Sequence, residues 1–156
     1  MLEGFNAAGV DYLLIGGMNF LLRHLPELTF DVDFWIKDSP DNLARVNAAL
    51  RTLGASWGPT EELWKPVPET KDWLSRQTVY CLTTEFGALD IFRDVRGLEG
   101  SYAACKEQAV HARTASGVPY WGLSDQHMLD TQLALEEKDR KPNRIAVLKR
   151  ALGQNE

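Results

Sequence analysis

Tyr12-Leu13-Leu14-Ile15-Gly16-Gly17 and Thr29-Phe30-Asp31-Val32-Asp33-Phe34-Trp35-Ile36 are the two stretches that decide how this chain folds. Both are apolar runs that suit β-strands, and about one helix of sequence separates them. Successive side chains of a strand point to opposite faces, so Asp31 and Asp33 share one face. The opposite face, which we expect to meet the core, carries Phe30, Val32 and Phe34. Aspartate is depleted in strands, so this pair needs an explanation.

A divalent metal ion would explain the two aspartates. Their carboxylates lie roughly 6–7 Å apart along a strand and repel each other when both are ionised. A cation such as Mg²⁺, which prefers oxygen ligands, offsets that repulsion. The glycine pair Gly16-Gly17 fits the same interpretation, because backbone N–H groups without side chains can approach a phosphate closely. The pattern therefore predicts metal-assisted chemistry on a nucleotide.

Length and composition predict one globular domain. The chain has 156 residues, of which 44% are hydrophobic and 25% are charged. These values are ordinary for a globular protein with a core of its own. We expect a single domain over 1–156, with a nucleotide-binding core at about 9–93 and a C-terminal hairpin and helices at about 98–152.

Charge and cysteine content narrow the functional classes. A net charge of −5 and a pI of about 5.2 do not favour nucleic-acid binding as the main task. Cys81 and Cys105 are too few for a disulfide framework or a four-ligand zinc site, which predicts reduced thiols and a cytoplasmic location. No apolar run reaches the ~20 residues that span a bilayer, so no membrane association is predicted.

Hydrophobic spacing and turn signals predict an α+β domain with a mixed sheet and flanking helices. Strands and hairpins alternate with helices, but not in regular βαβ units. The predicted strands are 10–15, 29–36, 77–83, 88–92, 110–114 and 118–121. The predicted helices are 1–8, 18–25, 40–53, 99–108, 125–137 and 143–152.

Residues 55–75 are the hardest part of the sequence to interpret. They hold Trp57, Trp64 and Trp73, with three prolines between them. A loop around the site and a partner surface are both compatible with this composition. Core filling is the role that we favour for the aromatic rings.

A third acidic residue completes the pattern. Asp90 lies within the apolar run Ala88-Leu89-Asp90-Ile91-Phe92, where strand alternation lets it face the same side as the first two. With Gly16-Gly17 and Asp31-Val32-Asp33, the chain resembles the nucleotidyltransferase superfamily, whose fold is polymerase-β-like. The resemblance is strongest to the small prokaryotic subgroup that includes AbiEii-type toxins.

The resemblance implies an activity and a set of site residues. It implies transfer of a nucleoside monophosphate from an NTP to a hydroxyl of a small molecule, a protein or an RNA end, with two Mg²⁺ ions. Asp31 and Asp33 would hold both ions, and Asp90 would bind one and help to deprotonate the acceptor. The residues predicted to bind the nucleotide are Gly16, Gly17, Arg23 and Thr29. A solvated helix end for Arg23 and an ordinary strand start for Thr29 are the alternatives.

One family feature has no counterpart here. Small relatives carry a lysine on the helix after the second hairpin, whereas Met128–Leu133 contains none. Lys138 and Arg140 are the candidates to replace it. The other basic residues of the C-terminal region, including Arg144, are interpreted as a solvated face.

Two further functions stay open beside the enzyme. The chain would be a catalytically silent binding module of the same fold, or the toxin of a toxin–antitoxin pair. The expected partners are an NTP, an acceptor of unspecified identity, and a second copy of the chain or an antitoxin-like protein.

Overall fold

The computed structural model describes residues 1–24, 26 and 28–154. These residues contain six helices and eight strands. The helices are α1 (Leu2–Ala7), α2 (Gly16–Arg23), α3 (Pro40–Thr52), α4 (Tyr102–Glu107), α5 (Asp125–Leu133) and α6 (Pro142–Ala151). The strands are β1 (Tyr12–Ile15), β2 (Asp31–Ile36), β3 (Ser56–Trp57), β4 (Lys65–Pro66), β5 (Val79–Thr84), β6 (Gly87–Phe92), β7 (Val110–Arg113) and β8 (Pro119–Gly122). Over the same residues, no helix combines the length and apolar character that crossing a bilayer requires.

All eight strands belong to one mixed sheet. Their order is β4-β3-β5-β6-β2-β1-β8-β7. The β2–β6 and β1–β8 pairs are parallel, and the other pairs are antiparallel. The predicted α+β class with a mixed sheet is confirmed. Strands β2 and β6 occupy the middle of the sheet, with a neighbour on each side.

Each face of the sheet packs its own hydrophobic core. The first core contains Phe5 of α1 and Leu50 of α3, together with Phe34, whose ring stacks on that of Phe5 at 4.1 Å between centroids. The second core lies on the opposite face, where Trp35 packs with Met128 of α5 and Leu148 of α6. Strand alternation divides β2 between the two, and the aspartates share the face of the second core.

The prediction that Phe30 faces the core is wrong. Its side chain is 79% exposed, whereas Val32 is half-buried and Phe34 is fully buried. Strand β2 begins at Asp31, so Phe30 precedes the pairing that would have turned it toward the first core.

Two helix boundaries differ from the prediction. Helix α2 begins at Gly16 rather than Met18, and its predicted end at Leu25 lies outside the described residues. Helix α5 ends at Leu133 instead of continuing to Glu137. The Arg140 side chain donates to the backbone carbonyls of Leu133 and Leu135 and so stabilises that earlier end.

Residues 55–75 form β3, β4 and two short 3-10 turns, Glu61–Leu63 and Lys71–Ser75. Trp73 is buried, stacks on Trp57 at 5.2 Å between ring centroids, and donates its indole N–H to Asn47 at 2.7 Å. Core filling therefore accounts for these two rings. Trp64, by contrast, is 42% exposed.

Asn42→Ala is expected to destabilise the fold by about 2–3 kcal/mol. The buried Asn42 amide donates to the carbonyls of Asp11 and Lys37 at 2.9 and 2.8 Å, and it accepts from the Asp11 N–H at 2.8 Å. Alanine removes three hydrogen bonds and leaves the Asp11 N–H without a partner, while the two carbonyls keep their backbone donors from Lys37 and Ser39. Urea denaturation measures the loss, with exposed Arg45→Ala on the same helix as the control. Equal midpoints for the two variants would contradict this account.

Candidate functional site

The three predicted aspartates meet at the middle of the sheet. The register pairs Asp33 directly with Asp90 of β6, and Asp31 with Ala88. Carboxylate oxygens of Asp31, Asp33 and Asp90 all lie within 4.8 Å of one another. We call these three residues the carboxylate cluster.

Burial and the neighbouring negative charges disfavour ionisation of Asp33 and Asp90. Burial, together with the charges of Asp90 and Asp31, raises the pKa of Asp33 to about 7, while the Arg144 guanidinium acts in the opposite direction. Burial also raises the pKa of Asp90. The protein without metal therefore keeps a proton between Asp33 and Asp90 near neutral pH.

The carboxylate cluster fits a divalent cation. Its donors are oxygens, the ligands that Mg²⁺ prefers. The Oδ1 atom of Asp33 is buried and makes no hydrogen bond within the described part of the chain. A buried carboxylate oxygen without a partner is costly, and a cation would supply the missing partner.

The glycine pair lies directly against the carboxylate cluster. Gly16 has φ of +67°, and a Cβ built on it would lie 2.3 Å from Oδ2 of Asp33. A Cβ on Gly17 would lie 3.1 Å from Oγ1 of Thr29 and 3.4 Å from Nη2 of Arg144. Because both glycines open helix α2, its first backbone N–H groups lie beside the carboxylates.

The structure separates the predicted nucleotide-binding residues into two groups. Gly16, Gly17 and Thr29 lie at the carboxylate cluster. Arg23 lies seven residues further along α2, about 10 Å from its start. Its guanidinium pairs with Asp125 at 2.9 Å and donates to the Leu123 carbonyl at 2.9 Å.

Arg144 lies beside the glycine pair, and its sequence context does not indicate this position. Its side chain is 8% exposed, and its guanidinium carbon lies 5.4 Å from the centre of the Phe20 ring. Lys138 and Arg140, the candidates to replace the family's lysine, bind other groups. Lys138 pairs with Glu136 at 3.1 Å, and Arg140 binds carbonyls at the end of α5.

A cavity of about 230 Å³ adjoins the carboxylate cluster between the sheet and helices α5 and α6. Its walls include Gly16, Asp33, Arg96 and Arg144, with apolar side chains such as Met128 between them. Arg93, three residues before Arg96, instead pairs with Asp38 at 3.0 Å and donates to two carbonyls. Arginine and glycine N–H groups beside a carboxylate are suited to a phosphate bound through metal.

Comparison with known proteins finds similar solved structures but no matching sequences. No family model matches the chain, and no curated protein matches it by sequence. The antibiotic-resistance factor ANT(2″)-Ia superposes with a TM-score of 0.61 at 12% identity, over 97% of this chain and 82% of that one. The lincosamide antibiotic adenylyltransferase LnuA, solved with lincomycin, gives 0.53 at 16% identity, over 95% and 91%.

A third match is TM1012 from Thermotoga maritima, a protein assigned to the nucleotidyltransferases. It gives a TM-score of 0.54 at 13% identity, over 97% of this chain and 88% of that one. These identities establish shared architecture. The mixed sheet with flanking helices and the three superpositions together show that the chain has the α+β fold of the nucleotidyltransferases.

Proposed function

We propose that this chain is a Mg²⁺-dependent nucleotidyltransferase that moves a nucleoside monophosphate from an NTP to a hydroxyl. The observation that carries the proposal is the carboxylate cluster, three acidic side chains within 4.8 Å of one another on two central strands. Such a cluster costs stability unless a cation binds it. The contact of Gly16 with Asp33 supports a phosphate site at the same place, because the first N–H groups of α2 are there.

The cluster residues would divide the chemistry as the family resemblance implies. Asp31 and Asp33 would hold two Mg²⁺ ions, and Asp90 would contact one. Bound Mg²⁺ neutralises charge on the phosphates as it develops. Asp90 would take the proton of the acceptor hydroxyl, a role that suits a carboxylate whose pKa is raised by burial.

The side of the carboxylate cluster at the glycine pair would bind the phosphates. The N–H groups of Gly16 and Gly17 would hold the β- and γ-phosphates at the start of α2, with Thr29 beside them. Arg144 would supply positive charge at the same place, from α6 rather than from the helix on which small relatives carry their lysine. Arg23 would join them only by leaving its ion pair with Asp125.

The acceptor and the biological context belong to the proposal. ANT(2″)-Ia has been solved with adenylyl-2″-tobramycin, which supports ATP as a donor to test and antibiotics as one acceptor class. Membership of the AbiEii-like subgroup rests on the sequence resemblance. We propose that residues 1–156 act as one domain in the cytoplasm, with a second copy or an antitoxin-like protein as partner.

Calorimetric titration with each of the four NTPs tests the proposal. At least one NTP is expected to bind wild type in Mg²⁺, and to lose about 100-fold in affinity when EDTA replaces the metal. Asp31→Ala/Asp33→Ala is expected to show the same loss, because it removes the ligands of both ions. The matched control replaces the exposed aspartates Asp72 and Asp139 with alanine.

Two results would contradict the proposal. The first is NTP binding that survives both EDTA and the double substitution. The second is no binding of any NTP to folded wild type, which would favour an interaction module. Metal-dependent binding without transfer to any acceptor would favour the catalytically silent member of the fold. Toxicity on expression that disappears in Asp31→Ala would favour the toxin.

A further inference from the structure

The strand register orders side chains across the carboxylate cluster. Asp33 pairs with Ile15 on one side and with Asp90 on the other, and Asp90 pairs with Cys81 of β5. Paired residues share a face, and neighbouring strands lie about 4.8 Å apart. The row therefore runs about 14 Å from the end of β1, where the glycine pair begins, to Cys81. A second row runs beside it from Asp31 through Ala88 to Thr83, because Ala88 pairs with both.

The two ends of this row differ in what covers them. Helix α2 and Arg144 cover the end at the glycine pair. At the other end, Cys81 is exposed, Val79 is 37% exposed and Thr83 is half-buried. Among the described residues, β5 contributes no side chain to the second core, which covers this face elsewhere. A ligand can therefore reach the carboxylate cluster over β5.

In-line displacement assigns a role to each end. The attacking and leaving oxygens lie on opposite sides of the phosphorus. With pyrophosphate leaving toward the glycine pair, the hydroxyl must enter from β5. We propose that Val79, Cys81 and Thr83 contact the acceptor and that the part of the acceptor they contact is uncharged. This inference rests on the proposed function.

The proposed step is balanced within the site. The acceptor oxygen forms a bond to the α-phosphorus while the bond from that phosphorus to the pyrophosphate oxygen breaks. The hydroxyl proton passes to Asp90, which pairs directly with Cys81. Val79, Cys81 and Thr83 determine specificity in this scheme and take no proton.

The composition of the β5 side defines the acceptor class. Val79, Cys81 and Thr83 are neutral, and so is Ser56, which pairs with Thr83 on β3. A charged group of the acceptor would find no counter-charge among these four residues, and would lose hydration without compensation.

Alkylation of Cys81 by iodoacetamide tests where the acceptor enters. Cys105 is buried, so Cys81 is the reactive thiol. With Mg²⁺ and α,β-methylene ATP bound at the glycine side, the rate is expected to stay within about two-fold of that for free protein. Protection by about ten-fold or more would place the nucleotide over Cys81 and overturn the inference.

Three matched alcohols, added with the same nucleotide analogue, test the acceptor class. Neutral 2-phenylethanol is expected to slow alkylation of Cys81 by at least about two-fold. Its benzoate analogue, 4-(2-hydroxyethyl)benzoate, and its aminomethyl analogue should give no protection. Cys81→Ser should still bind α,β-methylene ATP. Equal protection by the charged alcohols, or none by any alcohol, would overturn the inference.

A substitution separates this inference from the proposed function. Val79→Trp, which keeps the Cys81 thiol, is expected to hold the affinity for Mg²⁺ and NTP within about two-fold of wild type while abolishing the protection of Cys81 by 2-phenylethanol. Arg113→Trp, at the far edge of the sheet, is the control. Loss of NTP binding in Val79→Trp, with binding kept in Arg113→Trp, would overturn the acceptor assignment. Failure of wild type to bind NTP would instead contradict the proposed function.

Discussion

Gly16→Ala is expected to abolish metal-dependent nucleotide binding, with a loss of affinity of at least about 100-fold. The new Cβ would lie 2.3 Å from Oδ2 of Asp33, a distance at which one of the two groups must move. The side chain of Asp33 cannot move without leaving the carboxylate cluster, where its other oxygen is already buried. Calorimetric titration with Mg²⁺ and the NTP that binds wild type measures the loss.

Gly100→Ala is the matched control for this substitution. Gly100 has φ of +69°, almost the same as the +67° of Gly16, but a Cβ there would meet nothing within 4 Å. Both variants carry the backbone penalty of about 1–2 kcal/mol for a left-handed conformation. Only Gly16→Ala also displaces Asp33. Equal nucleotide affinities for the two variants would show that the contact with Asp33 does not determine binding.

Asp33→Asn is expected to raise the thermal midpoint of the metal-free protein at pH 8 by at least about 3 °C. The native pKa of Asp33 is raised to about 7 by burial and by its neighbours, while an unfolded aspartate titrates near 4. Between these values the folded state binds more protons than the unfolded state, so stability falls as pH rises. Asparagine removes that loss, because it carries no charge at any pH.

The dependence of the thermal midpoint on pH and on Mg²⁺ tests this prediction. The stability advantage of Asp33→Asn should shrink as pH falls from 8 to 5, because wild-type Asp33 becomes protonated over this range. Mg²⁺ should raise the midpoint of wild type at pH 8 more than that of the variant, which lacks one ligand. Thermal scans with the exposed Asp139→Asn as control measure both effects. An unchanged or lower midpoint for Asp33→Asn at pH 8 would contradict the assigned electrostatics.

The part of the site that follows from strand periodicity could be predicted from sequence. Alternation alone placed Asp31 and Asp33 on one face, and the polar position inside an apolar run indicated Asp90. The structure brings the three together as expected. The same rule gave a wrong result at Phe30, because periodicity does not show at which residue pairing begins.

Arg144 could not be predicted, because its role depends on how helices pack. It belongs to a basic run in which Lys138, Lys141 and Lys149 have the same local appearance. The first of these is exposed and pairs with a neighbouring glutamate, whereas Arg144 packs over Phe20 and faces the glycine pair. The placement of α6, which packs against α5 and brings Arg144 beside Phe20 of α2, decides which of these cations becomes buried, and no local spacing encodes that placement.

The central position of β2 and β6 has a consequence for motion. Every strand that carries the carboxylate cluster has a hydrogen-bonded neighbour on both sides, so its amides should exchange with solvent among the slowest in the domain. We therefore expect the two strands that carry the carboxylate cluster to move less than the helices packed on them. Under the proposed function, α6, which carries Arg144, is the element whose displacement would release the phosphates, whereas the acceptor reaches the carboxylate cluster over β5 without such a movement.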